Sequence, residues 1–65
     1  MEDLRKVILI VDDIELNRAI LKELFFQSYC VAEAENGLQA LEAIKKYGDR
    51  IAIILLDIVM PALAC

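Results

Sequence analysis

Asp12, Asp13 and Asp57 are the residues whose type and position offer chemistry. Asp12 and Asp13 end the apolar run Val7-Ile8-Leu9-Ile10-Val11, and Asp57 ends the run Ile51 to Leu56. Three carboxylates gathered in one small volume repel one another. The simplest remedy is a hard divalent cation with oxygen ligands and retained waters, and Mg2+ is the natural choice. A carboxylate beside such an ion can act as a nucleophile toward a phosphoryl group, because the metal and the neighbouring acids position the donor and offset its charge. Asp57 is best placed for that role, standing alone at a strand end, whereas Asp12 and Asp13 lead into a helix and are better held as metal ligands. A plainer reading competes: an acid ahead of a helix caps free N–H groups and favours the helix dipole, and an Asp after a strand is a turn residue.

Whether the acids meet depends on the elements that carry them. Three apolar runs alternate with stretches of helical periodicity, which is the pattern of βαβ units. Val7 to Val11 is short, continuous and β-branched, as in a strand covered on both faces of a parallel sheet. From about Ile14 to Gln27, Ile20, Leu21, Leu24 and Phe25 follow helical spacing, with Glu15, Arg18, Lys22 and Glu23 assigned to the other face. Cys30 to Glu35 alternates weakly and suits an edge strand. After Asn36-Gly37, a stripe of Leu38, Leu41 and Ile44 predicts a second helix that stops before Gly48, and Ala40 and Ala43 beside it allow close approach to a sheet. Ile51 to Leu56 reads as a third strand, central in composition.

The fold class expected is α/β, a three-stranded parallel sheet in the order 2-1-3: with strand one between the other two, right-handed crossovers put one helix on each face. The strand order reverses between the first and third strands. Ligands of open α/β sheets bind beyond the carboxyl ends of the strands at such a point, and there the sequence places Asp12, Asp13 and Asp57.

The chain has 65 residues, 60% of them hydrophobic and 28% charged, with a net charge of −4. It forms one unit, residues 1–65. A domain of this size buries only about 60% of the surface its unfolded chain exposes, and its apolar content exceeds the usual ~45–50%. A half domain or an obligate homo-oligomer is therefore expected. The contact would run through the third strand, an edge with the composition of a buried strand, and the sheet faces beside it. Seven bases scattered among eleven acids form no basic patch, which argues against nucleic-acid binding. Ile51 to Leu56 falls far short of the ~20 apolar residues that span a bilayer, and Val7 to Val11 is too short for a signal-peptide core. Cys30 and Cys65 lie far apart, with no His to complete a zinc site, and fit reduced thiols in a cytoplasmic chain.

Four segments together resemble the receiver domain of bacterial response regulators: Lys6-Val7-Ile8-Leu9-Ile10-Val11-Asp12-Asp13, Glu15-Leu16-Asn17-Arg18, Glu35-Asn36-Gly37 and Leu56-Asp57-Ile58-Val59-Met60-Pro61. The resemblance implies a non-enzymatic module of two-component signal transduction on a flavodoxin-like, doubly wound fold. It implies that Asp57 is the phospho-acceptor, that Asp12 and Asp13 hold Mg2+, and that the Val59 backbone carbonyl completes the metal site. A histidine kinase or phosphotransfer protein would be the partner, and Asn17-Arg18 is similar to receivers attached to hybrid sensor kinases. The matched segments cover about the first half of the family's fold. The expectation is thus a truncated receiver-like half domain without the later Ser or Thr and Lys that read the phosphoryl group. A self-assembling structural module with an idle acidic site is the alternative.

Overall fold

The computed structural model describes residues 5–56. The element order is β1 (Val7–Val11), α1 (Glu15–Phe25), β2 (Cys30–Ala34), α2 (Gly37–Tyr47), a 3-10 turn over Gly48–Arg50, and β3 (Ile51–Leu56). The sheet is parallel, in the order β2-β1-β3. β1 is the axis of the molecule. All five of its residues are buried, as a continuous apolar, mostly β-branched run flanked by two strands and covered on both faces should be.

The two helices lie on opposite faces. Val7, Leu9 and Val11 share a core with Ala32 and Ala34, and Ala40, Ala43 and Tyr47 of α2 pack against it. Alternation along β2 turns Glu33 to the other face, where it meets Arg18 and Lys22 of α1.

Differences from the sequence reading have local causes. α1 starts one residue later than expected, because Ile14 is extended. It stops at Phe25, whose carbonyl accepts from the Ser28 and Tyr29 N–H groups as the chain turns. Arg5 Nη1 donates to the freed carbonyl of Phe26 at 3.0 Å, as cations near a helix C-terminus do. β2 ends at Ala34 rather than Glu35, because the Glu35 N–H is drawn to Gln39 Oε1 at 2.9 Å. α2 ends where glycine permits it: Gly48 has φ +52° and its N–H bonds the Ile44 carbonyl.

The expected apolar stripes are corrected. In α2 the small face, Ala40 and Ala43, meets the sheet, and Leu38, Leu41 and Ile44 are exposed. In α1, Leu21 and Phe25 are half-buried while Ile20 and Leu24 are exposed, and Arg18 lies on the inner side rather than the outer. Three strands are too narrow to cover a second apolar stripe on either helix. β3 also carries an irregularity that a continuous apolar run hides: Val7 pairs with Ile51 but Ile8 pairs with Ile53, so Ala52 is bulged out of the ladder.

Candidate functional site

Asp12 stands one residue past β1 and is 1% exposed. Its N–H donates to the Ala34 carbonyl at 3.0 Å, carrying the β1–β2 ladder one step beyond the strand. Its Oδ1 accepts from the Ile14 N–H at 2.9 Å, and its backbone carbonyl accepts from Arg18 Nη1 at 2.8 Å. Oδ2 is buried with no hydrogen-bond partner among the described residues. The side chain does not cap α1: the N-cap residue is Ile14, which makes no side-chain cap bond. The simple capping role for Asp12 thus gives way to a two-residue turn that anchors one oxygen and leaves the other bare.

Asp13, next along, is exposed. Asp57 and Val59 lie outside the described residues. The register pairs Val11 with Leu56, the residues that immediately precede Asp12 and Asp57 in sequence. Two of the three acids assigned from the sequence are therefore described, and no group of three or more His, Cys, Asp or Glu able to hold a metal occurs among the described residues.

A buried carboxylate oxygen without a donor is costly unless a cation meets it. A carboxylate oxygen is a hard donor of the kind that suits Mg2+ rather than a soft metal, and Asp13, next in sequence, carries an exposed carboxylate. The residues present fit such an ion.

Arg18 and Glu33 also shape this end of the sheet. The Arg18 side chain, only 13% exposed, donates through Nε to Glu33 Oε1 at 3.2 Å while Nη1 holds the Asp12 carbonyl. Lys22 Nζ lies 3.7 Å from Glu33 Oε2. Its charge alone puts Arg18 on the outer face of the helix. Its spacing from Leu21 and Phe25, three and seven residues on, was the available signal that it belongs to the inner face.

No described helix is long and apolar enough to cross a membrane.

The response regulator receiver domain model matches residues 8–64. The chain is 42% identical over 57 residues to a chemotaxis protein CheY of Halobacterium salinarum, covering 86% of this chain and 46% of that protein. It is 43% identical over 65 residues to a protein of Vibrio cholerae named Probable cyclic di-GMP phosphodiesterase, covering 98% of this chain and 14% of that one. The chain thus spans about half the length of the first relative and a small part of the second. No solved structure matches it significantly.

Proposed function

The chain belongs to the response regulator receiver domain family, and from that premise we propose that it serves two-component signal transduction in the cytoplasm as a receiver module, with Asp57 as phospho-acceptor. The observation that carries this reading is the buried, unpartnered Oδ2 of Asp12 at the carboxyl end of β1. Asp12 directly follows the strand whose register partner, β3, leads in sequence into Asp57.

Asp12, Asp13, Asp57 and the Val59 carbonyl would hold Mg2+, which when bound offsets the charge of the phosphoryl oxygens and of the acids themselves. Asp57 supplies the nucleophile: a carboxylate oxygen attacks phosphorus, the bond from phosphorus to the donor's leaving group breaks, and an acyl phosphate remains on the side chain. The donor in the cell would be a histidine kinase or phosphotransfer protein. Family membership supports that partner class, and the chain's acidic balance fits no nucleic acid.

The test is direct. Incubation with Mg2+ and acetyl phosphate should add one phosphoryl group by intact mass, and Asp57→Ala should abolish the adduct. Absence of any adduct across Mg2+ concentrations would sink the reading.

A second reading, a self-associating module with the acids idle, is favoured by one feature. β3 is an edge of the sheet, yet Ile53, Ile54 and Leu56 are 44%, 46% and 70% exposed. The opposite edge, β2, carries Glu33 with its two basic partners, the kind of charge that discourages strand addition. Among the described residues β3 has no such guard.

A further inference from the structure

We propose that Arg18 is a positioning residue for the cation site and acts through the main chain of Asp12, with Glu33 as its anchor and its neutralising charge. This inference rests on the reading of Asp12 as a cation ligand and adds to it what keeps that ligand aimed.

Asp12 is fastened at three points: its N–H to the Ala34 carbonyl, its Oδ1 by the Ile14 N–H, and its carbonyl by Arg18 Nη1 at 2.8 Å. The first two come from the backbone and follow from the fold. The third is supplied by a side chain from one turn into α1. It is the only one of the three that a substitution can remove without redirecting the chain. With all three in place Oδ2 has no freedom to swing toward another donor, and it is the oxygen left bare.

A guanidinium beside a cation site is unfavourable on charge grounds alone, since it repels the ion it would serve. Glu33 resolves this. Its Oε1 accepts from Arg18 Nε at 3.2 Å, which offsets part of the guanidinium's charge, Lys22 sharing the same carboxylate at 3.7 Å, and holds the guanidinium plane with Nη1 pointing at the carbonyl. Glu33 reaches that place because β2 alternation turns it to the α1 face. An Arg fork makes both bonds at once, which a Lys ammonium on a flexible stem does not reproduce.

The sign of the effect separates positioning from plain electrostatics. Removing a positive charge near a cation site tightens cation binding if charge is all that matters. It loosens binding if the lost contact held a ligand in place, and outer-shell partners of metal ligands typically account for about 10–100-fold in metal affinity.

The experiment is calorimetric titration of MgCl2 into the 65-residue chain and its variants, with thermal unfolding in EDTA recorded alongside. Arg18→Met is expected to weaken Mg2+ binding about 10-fold or more. Arg18→Lys should recover part of the loss, and Glu33→Gln should weaken binding because it frees both the orientation and the charge of Arg18. Lys22→Met, which cuts the other tie to Glu33 and leaves Asp12 untouched, should bind Mg2+ as the parent does. Should Arg18→Met fail to fold, Arg18→Lys and Glu33→Gln carry the test. Mg2+ affinity unchanged or tightened in folded Arg18 variants overturns the positioning role and leaves the cation site standing. Loss in Lys22→Met equal to that in Arg18→Met overturns it as well, by showing a mere α1–β2 tether. Absence of Mg2+ binding by the parent chain overturns the cation reading, and this inference with it.

Discussion

Asp12 Oδ2 is sealed from solvent without a donor, an arrangement that costs stability in the absence of a positive ion. Asp12→Asn keeps an oxygen for the Ile14 N–H and removes the charge. In EDTA the variant should unfold with a free energy higher than the parent's by about 1 kcal/mol, the order expected for replacing a buried charge by a neutral amide. The parent should gain stability on adding Mg2+ and the variant should not. Denaturant unfolding with and without the ion measures both, and a variant less stable than the parent in EDTA would show that the carboxylate is already compensated. Asp12 was legible in the sequence because an acid directly after a continuous β-branched run must sit at a strand end. Its environment was not. The Arg18–Glu33–Asp12 chain joins a helix, a strand and a loop, and such a link depends on side-chain reach in space rather than on spacing along the chain.

At the scale of elements, the start of α2 shows how a short motif can be seen and half understood. Asn36-Gly37 reads as a break between strand and helix, and it is one, but Asn36 Oδ1 also accepts from the Gln39 N–H at 2.9 Å and caps the helix. Gln39 reaches back to the Glu35 N–H, a reciprocal arrangement displaced by one residue from the usual capping box. Asn36→Ala should therefore destabilise the chain by about 1 kcal/mol, while Asn36→Asp should cost little; thermal melts of the two variants decide it. β1 and β3 were legible to the residue, because apolar runs ended by acids or turns have sharp boundaries, and once β1 is taken as the central strand, crossover handedness puts the two helices on opposite faces. The facing of α2 was not. Two apolar stripes compete on that helix, and the sheet selects the alanine one because the backbone can come closer there. The bulge at Ala52 was invisible for a simpler reason: in a run of uniformly apolar residues, a slip of one leaves the pattern unchanged.

For the whole molecule, the self-association reading makes a definite claim about β3. Sedimentation equilibrium of the parent should show a species above 7.3 kDa that dissociates on dilution, and Ile53→Lys, which places a charge on a bare apolar position, should stay monomeric. A parent that remains monomeric at high concentration discards the claim. The outward-facing Leu16, Leu24, Leu38, Leu41 and Leu56 have a consequence for calorimetry. Heat capacity rises on unfolding in proportion to the apolar surface newly wetted, and a 65-residue fold of ordinary burial would give about 0.8–1 kcal/mol/K. The isolated chain has much of that surface wet already, so its increment should fall below this range. Its stability curve should then be shallow, with little curvature toward either heat or cold, and the increment should climb toward the ordinary value as concentration brings the bare surfaces together.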